Sequence, residues 1–303
     1  MRAADARGGS LVRYGWCFME SVRSPVGPHH SLFRAVAGLG SSVLRRIAGF
    51  GRFMRFAGAA VAGLKAVKTW ARRDRLGRQL YFVGTASVPV VAITGGFIGM
   101  ILALEAYRQF EAIGQEARLG GIINLSMVKQ IGPVLAAVML AGRVGCSLTA
   151  ELGSMRVTEQ LDAMRAMASD PIRVLVVPRF VACVVMIPPL TIVSNLCGVV
   201  GGWLITTQIF DADPQLYTLY SQQFVTWWDI ISGMAKSLAF GALIGVISCY
   251  KGFTCQPGAE GVGRATTESF VTSFLAIILS CIVLVKILND IDLWIFGVQS
   301  IFK

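Results

Sequence analysis

The chain has 303 residues, 54% of them hydrophobic and 15% charged, with a formal net charge of +11 and a mean hydropathy of +0.64. A soluble domain carries about a quarter of its residues charged, so this composition excludes an ordinary soluble fold and places the chain in a bilayer. The charge is local, because residues 1–81 hold 15 Lys/Arg against Asp5, Glu20 and Asp74; a basic segment just before the first apolar run belongs at anionic headgroups rather than on nucleic acid.

In chain order, residues 1–42 are rich in Gly, Ser, Pro and Arg and read as a disordered basic segment, separate from a membrane domain over 43–303. They contain no uninterrupted apolar core of the secretory kind, although an Arg-rich, acid-poor start is also the composition of an organelle transit peptide. Val43, Ile47, Phe50, Met54, Ala57, Val61 and Leu64 then recur at steps of four and three. That spacing predicts an amphipathic helix within 43–80, lying in the headgroup plane or packed on the end of a helix bundle.

Five apolar stretches approach the ~20 residues that a helix needs to cross the hydrocarbon: about 82–107, 122–142, 174–207, 234–252 and 270–289. The third contains Pro178, Pro188 and Pro189 and is long enough for one kinked span or two short ones. Charge favours one. With five spans and a cytoplasmic N-terminus, the inner loops carry Arg143, Arg156, Arg165, Arg173, Lys251 and Arg264, while the outer 208–233 loop has Asp211, Asp213 and Asp229 and no cation. Glycines at 95, 96 and 99, at 198, 201 and 202, and at 241 and 245 predict close helix contacts. The seven cysteines show no C-x-x-C spacing and the two histidines are adjacent in a polar stretch, so neither a disulfide framework nor a metal site is expected.

Residues 143–173 differ from the spans around them. They hold four arginines with Glu151, Glu159, Asp162 and Asp170, and Leu152, Met155, Leu161, Met164 and Met167 at helical spacing. A charged helix with a Met-rich face between two spans suits docking of a partner protein, and it also suits a solvated loop helix. Within the spans Lys129 is the main ionisable candidate, since a charge in hydrocarbon is functional by default. Lys236 reads as a cation reaching the outer interface. Neither carboxylates nor paired ionisable residues are read in the spans.

Gly132-Pro133, the run LAAVMLAGRVGCSLTAELGSMRVTEQLDAMRAMASDP, and the later Tyr250-Lys251-Gly252 with GAEGVGRATTESFV resemble the MlaE family of permeases, which includes bacterial Mla and Mce-linked proteins and a chloroplast lipid importer. The resemblance covers about residues 43–290. It implies an all-α membrane protein in which an N-terminal interfacial helix precedes five spans, with a cytoplasmic coupling helix, 151–167, between the second and third. It further implies an ATP-driven phospholipid transporter in the bacterial inner membrane, or in an organelle envelope. Two permease copies would pair with two cytoplasmic ATPase subunits and an MCE-domain lipid-binding protein. Glu151, Arg156, Glu159, Gln160, Asp162 and Met164 would engage the ATPase, and Lys129, Gln130 and Lys236 would lie on the lipid pathway. Relatives carry an Arg-Glu pair where this chain has Lys129-Gln130, and some carry Asp where it has Cys281. No G-x-x-x-x-G-K-[ST] loop occurs, so ATP would be bound by the partner and this chain would need no cofactor. A secondary transporter would show an internal repeat or paired charges within its spans, and a scaffold would use 151–167 to hold some other protein.

Overall fold

The computed structural model describes residues 29–65, 73–115 and 118–297, and among these every regular element is a helix. The chain divides into residues 1–53 and 54–303. Of the predicted disordered segment, residues 1–28 lie outside the described residues, and from His29 onward the chain is helical.

Helix α1 runs from His29 to Gly63. Ile47, Phe50, Met54 and Val61, on its predicted apolar face, are exposed, as a helix bedded in headgroups requires. In the second unit a different side of the helix is packed. Ala60 is buried with Leu152, Val176 and Cys249, and the Phe56 ring lies 5.5 Å from those of Tyr250 and Phe253. Interface and packing thus use separate faces. The helix stops well before residue 80, at Gly63, where a Cβ would stand 2.7 Å from Val177 Cγ2, and a separate α2 spans Arg73–Val83.

Among the described residues, five helical runs are long and apolar enough to cross a membrane: Leu76–Glu111, Leu119–Val157, Ile172–Gln208, Trp227–Phe253 and Ala259–Ile295. The first joins α2 to α3 (Val88–Glu111) through a turn at Thr85–Ser87. The second is α4 (Leu119–Ser126), α5 (Gly132–Leu140) and α6 (Cys146–Val157), linked by π-helical segments at Met127–Ile131 and Ala141–Gly145. After a short α7 (Gln160–Ala166) and a third π segment, Ile172–Val176, comes α8 (Val177–Gln208). α8 passes unbroken through Pro188 and Pro189, so the third apolar stretch is one span. Helix α9 (Pro214–Phe224) folds over the far end, and α10 (Trp227–Phe253) and α11 (Ala259–Phe296) complete the bundle.

Helix α8 is the hub: α3 packs along it more extensively than any other pair packs, α10 takes another side, and α2 and α5 also lean on it. The main core joins Leu140, Val144, Cys183, Ile187, Phe240 and Ile277 from the second to the fifth span. Between α3 and α8 the contact is backbone on backbone. A Cβ on Gly99 would overlap the Gly198 carbonyl, and one on Gly201 the Gly96 carbonyl. Without water, helices associate by such close dispersion contacts. The loop read as merely acidic is ordered: Asp213 caps α9 through the Gln215 N–H at 2.8 Å, and Asn124 of α4 donates to Ser221 Oγ at 2.7 Å. The Tyr217 hydroxyl donates to Asn124 Oδ1, and burial pushes that phenol up to about 12.

Gly99→Val is expected to destabilise the fold by about 1–3 kcal/mol or more, as overpacking does, and to lower the melting midpoint in detergent. Gly263→Ala, within α11 and with a Cβ that meets nothing within 4 Å, is the control and does not lower the midpoint, since alanine is the better helix former.

Candidate functional site

The 143–173 segment lies at the end of the bundle where the second and fourth spans finish and the fifth begins. It is a bent connector and not one straight helix over 151–167. α6 ends at Val157, where the Thr158 hydroxyl donates to the Ser154 carbonyl at 2.9 Å. Glu159 then takes the left-handed conformation, φ 58° and ψ 13°, and α7 sets off from Gln160. A second left-handed residue, Ala168 at φ 56°, closes α7 with the Ser169 N–H on the Met164 carbonyl. Left-handed backbone at a residue with a Cβ costs about 1–2 kcal/mol, so this elbow is held at a cost and its shape is defined.

Across the elbow Asp162 is the centre. Arg156 Nη1 donates to both of its oxygens at 3.3 Å and Arg165 Nη1 to Oδ1 at 2.9 Å. All three side chains are more than a third exposed, so each pair contributes about 0–1 kcal/mol and yields easily to a competing surface. Glu159 and Gln160 are exposed and Met164 half-buried. Leu161 is buried and anchors α7. The predicted methionine stripe is therefore split, and Met167 points outward at 72% exposure. Glu151 stands apart, because Arg179 Nη2 donates to its Oε2 at 2.7 Å. Beside the connector, Lys251 and Arg264 meet Glu268 at 3.0 and 3.4 Å, around a polar cleft that also holds Thr254 and Gln256.

The second set of polar groups lies toward the opposite end of the bundle. Pro133 offers no N–H to the Lys129 carbonyl four residues back, and the π turn Met127–Ile131 opens the helix there. Lys236 of α10 fills the gap: its Nζ donates to the Lys129 carbonyl at 2.7 Å and to Gln130 Oε1 at 2.9 Å. Gln130 Nε2 in turn lies 2.9 Å from Cys281 Sγ of α11. The Lys129 ammonium turns to Asp229 Oδ1 at 3.3 Å and Asp292 Oδ2 at 3.8 Å. The other Asp229 oxygen caps α10, accepting from the Thr226 N–H at 3.0 Å. Two expectations are corrected here. Lys236 does not reach the interface, being 1% exposed, and the acid missing beside Lys129 in sequence is supplied in space by two other spans.

Residues 76–287 match the family described as permease MlaE. The chain belongs to the MlaE permease family. A probable ABC transporter permease protein of Rickettsia conorii is 38% identical over 249 residues, covering 82% of this chain and 95% of that protein. The intermembrane phospholipid transport system permease protein MlaE of Haemophilus influenzae is 33% identical, covering 78% and 92%. The chloroplastic protein TRIGALACTOSYLDIACYLGLYCEROL 1 of Arabidopsis thaliana is 35% identical, covering 68% and 59%.

In this MlaE-family permease the structure brings Lys129, Gln130 and Lys236 together and joins Arg156 to Asp162, while Glu151 pairs elsewhere. Sequence reading missed Arg179, Asp229 and Asp292. Arg179 was visible as a cation inside the third apolar stretch, and Thr226-x-x-Asp229 is a helix-start pattern. The pairing of Arg179 with Glu151, 28 positions away, and of Asp229 and Asp292 with Lys129, a hundred or more positions away, had no local signal. Replacing Lys236 by Met is expected to cost about 1–3 kcal/mol for each acceptor it leaves bare. Chemical unfolding of the detergent-solubilised protein measures this, and Lys236→Gln, which keeps a donor, recovers part of the loss.

Proposed function

We propose that this permease is the membrane subunit of an ATP-driven transporter that moves phospholipid between the bacterial inner membrane and an MCE-domain carrier. It works as a homodimer, its N-terminus is cytoplasmic, and a separate cytoplasmic ATPase binds the ATP. The observation that carries this reading is the elbow: a strained, exposed, weakly paired connector between two spans, inside the 76–287 match to MlaE permeases. Its exposed charges at Arg156, Glu159 and Asp162, with Gln160 and Met164, are the groups available to an ATPase groove. Closure of the nucleotide sites then moves the elbow and, through it, the span ends.

A phospholipid cargo is supported by the spans, whose outward surfaces are apolar over most of their length, and by what the Haemophilus relative is named to transport. Lys129, Gln130 and Lys236 mark the polar point of the pathway. The paired charges at Lys129 do not favour a secondary transporter, whose coupling groups sit near the midplane. Here Asp229 belongs to the first turn of α10 and Asp292 to the last turns of α11.

The test is to purify the chain from its native membrane in mild detergent, with and without Glu159→Lys. The native protein is expected to bring down a P-loop ATPase, and the variant to lose most of it. Native protein without an ATPase, under conditions that preserve complexes, would sink the proposal.

A further inference from the structure

Arg179 lies in the first turn of α8, 4% exposed, and one of its terminal nitrogens, Nη1, is buried without a hydrogen-bond partner. Its other terminal nitrogen holds Glu151 at 2.7 Å. A guanidinium so placed depends on that carboxylate, because removing one partner of a buried pair strands a charge where water cannot reach it. The pair therefore fixes the distance between α6 and α8, whereas the exposed Arg156, Asp162 and Arg165 pairs do not fix theirs.

The opposite side of α6 is fixed as well. Thr149 Oγ1, fully buried, bonds the Gly145 and Ser248 carbonyls at 2.9 and 3.0 Å and Ser269 Oγ at 2.8 Å. A Cβ on Gly252 would meet Leu152 Cβ at 2.7 Å. α6 cannot swing independently of the fourth and fifth spans, and Glu151 adds the third.

We infer that Glu151 and Arg179 form an internal strut that carries movement of the elbow into the third span, so that Glu151 serves transport through Arg179 and not by gripping the ATPase. Both are positioning residues, and the inference rests on the elbow being the ATPase contact. A partner surface can reach Glu151, which is half exposed, but it cannot reach Arg179. If the strut is real, neutralising either residue has the same effect.

The complex is purified with its co-isolated ATPase and reconstituted with a fluorescent phospholipid, and three quantities are read: ATPase retained per permease, ATP hydrolysed, and lipid moved per ATP. Glu151→Gln and Arg179→Gln are expected to retain the ATPase at the native level while lowering lipid moved per ATP about tenfold, within the range of ordinary coupling between sites. The double variant is expected to be no worse than either single. Should Arg179→Gln fail to assemble, Arg179→Lys takes its place in the same cycle. Loss of the ATPase with Glu151→Gln would make Glu151 a docking residue and overturn the strut. Singles whose losses multiply in the double variant would overturn it too. A native chain that brings down no ATPase would instead remove the underlying transporter reading.

Discussion

A backbone carbonyl in hydrocarbon that loses its helical N–H has no water to turn to, and an unsatisfied group there costs several kcal/mol. Pro133 creates such a carbonyl at Lys129, and the answer is a lysine from another span, fully buried with its ammonium at 2.7 Å. Much of the far half of the bundle follows from that one contact. It ties α10 to the second span, sets Gln130 against Cys281 of α11, and leaves the Lys129 side chain free to reach Asp229 and Asp292. Three spans are thereby registered against one another at one depth by polar contacts.

The near half is registered differently. There the hydroxyl of Thr149 and the backbone of Gly252 lock α6 to the fourth and fifth spans, and the pair of Glu151 with Arg179 locks it to the third. The chain beyond α6 is held by loose surface charges and two left-handed residues. Stiffness therefore changes abruptly at Thr158. Everything before it moves with the bundle, while from Glu159 to Ala168 only the buried Leu161 anchors the chain and the charged side chains stay open to a partner.

What could be read from the residues was what depends on local periodicity. The number of spans, the stripe from Val43 to Val61, the glycine contacts and the peculiarity of 143–173 all arise from spacings of three, four or about twenty. The single span through Pro188 and Pro189 followed from loop charges, since proline alone leaves the choice open. The elbow at Glu159 was not legible, because a glutamate at positive φ opposes local preference and persists only where the surroundings impose it. Nor were the partners of Lys129, Lys236 and Arg179 legible. An ion pair between residues 100 or 163 positions apart is a property of the packed bundle, and the absence of an acid beside Lys129 in sequence implied nothing about the acids near it in space.

The seam between α3 and α8 bears on how such a bundle can move at all. Packed helices usually slide past one another by small rotamer adjustments in the layer of side chains between them. Here that layer is missing where Gly99 meets Gly198 and Gly96 meets Gly201, so nothing lubricates an axial displacement and each carbonyl acts as a stop for the opposing backbone. The first and third spans form a double-thickness plank. Any rearrangement that opens a path for an acyl chain must tilt this plank as one piece and part the molecule along another seam.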